Sequence, residues 1–380
     1  MTVNKEFKDH KVINDEKMKQ NWEIIPFEDS IVKVKYTTKI PSNDYLEQGL
    51  YPIVSQEEGL ISGYWNNKAD VFKVSNPVII FGDHTRILKY VDFDFVLGAD
   101  GVKILQPIKG IDAKFFKLYL ESCKIPSLGY SRHYKLLKEL HIPIPPLPIQ
   151  EKIVAELDCL SGVIEKKKEQ LKELDLLAQS IFYTMFGDPI TNEKGWEIKK
   201  LGEVCEIVGG STPKTNEASY WDGNHYWVTP AELNGSKYIS STNRTITDEG
   251  VKSAHLQLLP LGTVLLSSRA PIGKVAITTT PMYCNQGFKN LVCTDKLNNE
   301  FAYWFLFNNT EYLNSLGTGA TFKEISKRVV EQIPIPVPPL TLQQEFAAKV
   351  EAIEKQKGLI KESIKEVEDL FNARMQYYFG

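Results

Sequence analysis

At 380 residues the chain has room for two to three domains, and 42% hydrophobic with 11% aromatic residues is an ordinary globular composition able to bury a core. Its longest apolar runs, such as "TVLLSS", fall far short of the roughly 20 residues that span a bilayer, and the opening "MTVNKEFKDHKVINDEKMKQ" is too polar for a secretory signal, so a cytoplasmic protein without membrane contact is expected. The formal charge of −3 is spread as 15 basic against 15 acidic residues over 22–140 and 14 against 15 over 188–332, which excludes a uniformly basic nucleic-acid binder; any DNA-binding surface has to be local or completed by a second subunit.

In chain order, a polar segment (1–21) precedes a first domain expected over 22–141. Its β-branched runs "IVKVKY" and "VFKVSNPVII", separated by Gly, Pro and Asn turns, read as strands. Asp112–Cys123 reads as a helix that begins with a capping Asx residue. A Pro-rich hinge, "IPIPPLPIQ", then opens a long charged helix, together 142–187. A second domain follows over 188–332, with strands in "GTVLLSS" and "KVAITTT" and a helix over Asn298–Asn309. A second hinge, "IPIPVPPLTLQ", and a second long helix occupy 333–380. The fold class is α/β (α+β): two β-rich domains and two long helices.

The helices are copies. A shift of 193 positions aligns Pro146–Gly187 with Pro339–Gly380 without a gap. Ile153, Leu157, Leu160, Ile164, Leu171, Leu174, Ala178, Ile181 and Met185 fall on Phe346, Val350, Ile353, Lys357, Ile364, Val367, Phe371, Arg374 and Tyr378. Spacings alternate four and three, the mark of a coiled-coil seam. The remaining seam position holds Lys167 in one helix and Ile360 in the other, and Lys357 replaces Ile164; such lysines either fix register or snorkel to water. Consecutive prolines continue neither sheet nor helix and stiffen the entry to each long helix. The domains repeat loosely as well, with Trp22 matching Trp196, "YPIVS" matching "YWVTP", and "SLGYSRHYK" matching "SLGTGATFK".

Two like units pack most simply around a pseudo-twofold axis, which makes the helix pair antiparallel; a parallel pair is the alternative. Scaffold repeating well and domains repeating poorly suit a ruler that holds two readers with different targets. Two divergent domains, each followed by an "IPIPP…Q" hinge and a long helix ending in "FG", resemble the specificity subunit of a type I DNA restriction-modification system. In the second domain "GGSTPKT", "YWVTPAEL", "SSRAPIGKVA" and "NQGFKNL" carry the resemblance; the first departs from it, with "YTTKIPS" and "GADGVKIL" in place of the first and last of these. The resemblance implies a non-catalytic subunit that reads double-stranded DNA and docks two methyltransferase subunits. S-adenosylmethionine belongs to those partners, none is bound by this chain, and restriction subunits complete complexes that contain them. A coiled-coil adaptor with two protein-binding domains is the competing reading.

The sequence lacks an Asn-Pro-Pro-aromatic or Asp-Pro-Pro-aromatic loop, a GxGxxG opening a helix and a GxxxxGK[ST] loop. Five cysteines without a CxxC are expected to be buried thiols, with neither metal site nor disulfide framework. Base readout calls for Arg against guanine, Asn or Gln against adenine, and Ser or Thr against either. In the second domain these types cluster in turns as Arg269, Asn285, Gln286, Lys289, Thr318 and Thr321, while Ser211, Thr212 and Lys214 suit phosphates. In the first domain the candidates are Arg86, Arg132 and His133. The bland alternatives are an ordinary turn at 209–214, strand-bridging amides at 285–286, a salt-bridged Arg269 and a hydrogen-bonded surface His133.

Overall fold

The computed structural model describes residues 22–380 apart from Asp100, Tyr130, Ala270, Ala320, Thr321 and Phe322. The chain divides into two compact units, one of residues up to Lys167 with Ser363–Gly380, the other Lys168–Glu362.

In the first unit a four-stranded antiparallel sheet runs in the order Ile31–Val32, Val102–Pro107, Val78–Gly82, Leu88–Val91. Every residue of Val78–Gly82 is buried, because the strand is covered on both faces. Ile79 and Phe81 point into one cluster with Phe27, Leu105 and Phe116, and Val78 and Ile80 into another with Val54, Phe95 and Val102, as period-two alternation requires. A second, mixed sheet pairs Tyr51–Val54 parallel to Phe95–Gly98.

The second unit repeats the order of the first unit's four main strands and adds a fifth at the edge. Its main sheet is ordered Cys205–Gly209, Lys289–Cys293, Val264–Leu266, Val275–Thr278, then Tyr238–Ile239. Trp221–Val228 runs parallel to Tyr283–Cys284, as Tyr51–Val54 does to Phe95–Gly98. The domain cores therefore repeat far more closely than their sequences.

Helix α1 (Ala113–Ser122) is capped by Asp112, whose Oδ1 accepts the Phe115 N–H at 2.9 Å. Helix α3 (Asn299–Asn308) is capped by Asn298 through the Glu300 N–H, also at 2.9 Å. The long helices are α2 (Leu147–Phe186) and α4 (Leu340–Phe379), 40 residues each, about 60 Å at 1.5 Å per residue.

Each Pro-rich stretch begins as a strand. His141–Ile144 pairs antiparallel with Glu23–Pro26, and Pro334–Val337 with Glu197–Lys200. Prolines are tolerated because both ribbons are two-stranded, so a missing N–H can face away from the partner. The strands stop where consecutive prolines begin, and each helix starts right after them. The glutamine closing each motif is fully buried. Gln150 accepts the Asp112 N–H at 2.8 Å and donates to the carbonyls of Pro145 (2.7 Å) and Gly110 (2.9 Å). Gln343 accepts the Asn298 N–H at 2.8 Å and donates to Pro338 (2.8 Å) and Lys296 (3.4 Å). One side chain thus ties the hinge, the start of the long helix and the cap of the domain helix.

Within each unit the long helices run antiparallel. In the first, Phe371, Met375, Tyr378 and Phe379 of α4 pack with Ile153 and Leu157 of α2 and Phe115 of α1. In the second, Phe182 and Phe186 of α2 meet Phe346 of α4 and Phe301 of α3, with ring centroids 4.7–5.6 Å apart. The named seam residues are buried or half-buried throughout: Ile153, Leu157 and Leu174 with Val350, Ile353, Ile360 and Ile364 fully, Leu160, Ile164, Leu171 and Val367 partly. Lys357 does not snorkel. Its ammonium pairs with Asp175 on the neighbouring helix at 2.6 Å and with Glu354 at 3.0 Å. Burial would lower its pKa, but the two carboxylates outweigh burial and raise it.

The cysteines depart from expectation. Cys205 and Cys284 are buried, Cys123 and Cys293 only partly, and Cys159 is exposed because it lies off the seam on the outer face of α2.

Candidate nucleic-acid interface

In the second unit four loops at one end of the main sheet converge. The 209–214 turn leaves the strand Cys205–Gly209 and approaches the turn after Tyr283–Cys284 so closely that a Cβ on Gly210 would lie 2.1 Å from the Cys284 carbonyl oxygen. Only glycine fits there. The Ser211 N–H donates to that same carbonyl at 3.1 Å, and the Thr212 hydroxyl donates to Gln286 Oε1. Two buried indoles fix the turn from beneath: Trp227 donates to the Ser211 carbonyl and Trp221 to the Lys214 carbonyl, each at 3.1 Å. The Lys214 side chain projects outward, exposed.

The loop after Val264–Leu266 joins the 285–289 turn through the Ser268 N–H, which donates to the Gly287 carbonyl at 2.8 Å. Asn285 caps its own turn by accepting the Gly287 N–H at 2.9 Å. Arg269 and Lys289 share one partner, Glu324, at 3.0 and 3.3 Å. Burial would raise the Glu324 pKa, but hydrogen bonds from Arg269 and Lys289 outweigh it and hold the carboxyl below its usual value. Thr318 exchanges two backbone hydrogen bonds with Glu324, at 3.1 and 3.0 Å. The structure therefore unites Ser211, Thr212 and Gln286 on one side, and Arg269, Lys289 and Thr318 around Glu324 on the other. Thr321 lies outside the described residues.

The first unit places its candidates at the same end of the equivalent sheet. Arg86 occupies the tip of the turn between Val78–Gly82 and Leu88–Val91 at φ 64, and its guanidinium donates to the Ile125 carbonyl at 2.9 Å. Arg132 is exposed. His133 is not a surface residue and cannot touch DNA in this conformation, because its exposure is 0%. Its Nε2 accepts the Leu128 N–H and its Nδ1 donates to the Asp83 carbonyl, both at 2.9 Å. Its backbone N–H donates to the Asp83 carbonyl, as that of the equally buried Ile325 does to Ser268. The structural equivalent of His133 is thus a core residue.

Sequence reasoning missed two side chains here. Glu324 was hidden because an acid is unexpected among DNA contacts. Arg244 lies in the patternless run "SSTNRT"; it is exposed, and its guanidinium carbon sits 3.6 Å from the centre of the Trp221 ring. Among the described residues no group of His, Cys, Asp and Glu is placed to hold a metal, and no helix is long and apolar enough to cross a membrane.

The model of the type I restriction modification DNA specificity domain matches this chain twice, over residues 19–175 and 193–369. The chain is 25% identical to the EcoR124I/EcoR124II specificity subunit of Escherichia coli over 372 residues, 92% of this chain and 91% of that one. It is 40% identical to the MjaIX specificity subunit of Methanocaldococcus jannaschii over 158 residues, 40% of this chain and 37% of that one. Among solved structures, the type I restriction-modification S subunit from M. genitalium superposes with a TM-score of 0.59 at 14% identity, covering 95% of this chain and 96% of that one. A chain from a structure of type I complex assembly and conformational transition gives 0.57 at 19% identity, covering 94% and 97%. One match falls on each repeat and together they span most of the sequence, so the chain belongs to the type I restriction-modification DNA specificity family, as a non-catalytic specificity subunit with two target-recognition domains.

Proposed function

We propose that this chain reads an asymmetric, bipartite target in double-stranded DNA: two unlike short half-sites at a fixed separation. The carrying observation is that the four central strands of the main sheet and one parallel strand pair recur in both domains while the loops that join them carry different side chains. One domain offers Arg86 and Arg132, the other Ser211, Thr212, Lys214, Arg269, Asn285, Gln286, Lys289 and Thr318. Like scaffolds with unlike side chains read unlike bases. Lys214 and the 209–214 amides suit phosphates, Gln286 and Arg269 suit base edges.

In this reading the outer faces of α2 and α4 dock two methyltransferase subunits, one per repeat, and those subunits carry S-adenosylmethionine. Restriction subunits join where the system contains them, and the assembly works on DNA in the cytoplasm. Near-neutral domain charge supports weak DNA binding by the chain alone, with the partners closing around the duplex.

The test is genome-wide mapping of methylated adenines in cells that co-express the chain with its methyltransferase subunit, beside cells lacking the chain. A bipartite motif present only with the chain is expected. An assembled complex that adds no motif would overturn the reading.

A further inference from the structure

Arg244 stands apart from Arg86 and Arg269. Arg269 is neutralised by Glu324, and Arg86 is engaged by a backbone carbonyl. The Arg244 guanidinium is instead stacked on Trp221 at 3.6 Å, with the Trp227 ring at 5.7 Å, and among the described residues no acceptor takes its N–H groups. The two indoles beneath it are buried and meet edge to face at 5.1 Å. Their N–H groups hold the 209–214 turn, so the exposed guanidinium and that turn share one support.

Stacking fixes the plane of the guanidinium while leaving its donor fork free, and a fork ordered in advance loses little freedom on binding. That geometry matches the two acceptors, O6 and N7, that guanine presents in the major groove. A lysine or an unstacked arginine suits a phosphate equally well; a ring-clamped fork is more restrictive than a phosphate needs. Residues 240–243, just before Arg244, line with Glu232, Asn234 and Ser236 an open cleft of about 390 Å³ whose hydroxyls, amides and one carboxylate are groups that can pair with base edges.

We propose that Arg244 reads a guanine in the half-site of the second recognition domain, with Trp221 as its positioning residue. This rests on the reading of the chain as a specificity subunit. The experiment reconstitutes the full chain with its methyltransferase subunit and measures methylation of a duplex library randomised in both half-sites, for the wild type, Arg244→Ala and Arg244→Lys.

Arg244→Ala is expected to lose discrimination at one G·C position of the second half-site by about 10- to 100-fold, the range of one bidentate contact. Preferences in the first half-site and the salt dependence of binding stay as in the wild type. Arg244→Lys restores little, because an ammonium lacks the fork. An unchanged profile in Arg244→Ala would overturn the proposal. So would uniform weakening on all sequences with a salt slope smaller by about one, the signature of a phosphate contact. In either case wild-type specificity leaves the specificity-subunit reading standing, whereas a wild-type complex without sequence preference would overturn both.

Discussion

Gln343→Met removes the hydrogen bonds of the motif glutamine while keeping its volume. In the native chain Gln343 is fully buried, accepts the Asn298 N–H at 2.8 Å and donates to Pro338 at 2.8 Å, with a weaker bond to Lys296 at 3.4 Å. Methionine leaves the Asn298 donor and the Pro338 acceptor without partners in a dry site. An orphaned buried donor costs about 1–3 kcal/mol, and a carbonyl with a second lone pair to satisfy costs less, so a total of about 2–4 kcal/mol is expected. For a unit of this size that lowers the melting temperature by roughly 6–12 °C. Hydrogen exchange locates the effect: the Asn298 amide should lose protection while the Asp112 amide, held by Gln150, keeps it. Gln150→Met should give the reverse. Loss of less than about 0.5 kcal/mol, or equal deprotection of both amides, would refute the role given to this side chain.

Replacing Lys357 by Ile, the residue of the equivalent position 164, should cost about 1–3 kcal/mol in urea titration, since it leaves the largely buried Glu354 carboxylate without its cation; an unchanged or raised midpoint would contradict this. His133→Ala should destabilise the first unit by about 2–4 kcal/mol in urea titration, whereas Arg132→Ala should keep stability and weaken methylation through the first half-site alone. Because the folded pKa of Glu324 is depressed, its pairing stabilises above the unfolded carboxylate pKa and is lost as pH falls through the folded value. Glu324→Gln should therefore differ from the wild type by less than about 1 kcal/mol at neutral pH, since Glu324 and Arg269 are partly exposed. The difference should vanish in acid; one that grew on acidification would refute the assignment.

The long helices were legible because a heptad seam leaves a strict periodic trace, and the domain helices because Asp112 and Asn298 announce them locally. Phe182 and Phe186 escaped because they lie off the seam; the end of α2 packs on α3 as well as on α4, which widens its apolar face beyond two positions per heptad. Gln150 and Gln343 were visible as a repeat, but not as a tie, because the N–H groups they accept lie 38 and 45 residues away. His133 was misread for the same reason. Its neighbours in sequence are polar, and the carbonyl that buries it lies 50 residues away at Asp83.

The two-stranded ribbons that open and close each recognition domain work like the jaws of a clasp. The chain enters at Glu23–Pro26 and leaves beside it at His141–Ile144, and does the same at Glu197–Lys200 and Pro334–Val337. Everything between the jaws is an excursion whose two ends stay neighbours. Insertions, deletions and exchanges inside a clasp leave its jaws paired, so the path by which the chain enters each long helix does not depend on what the excursion contains.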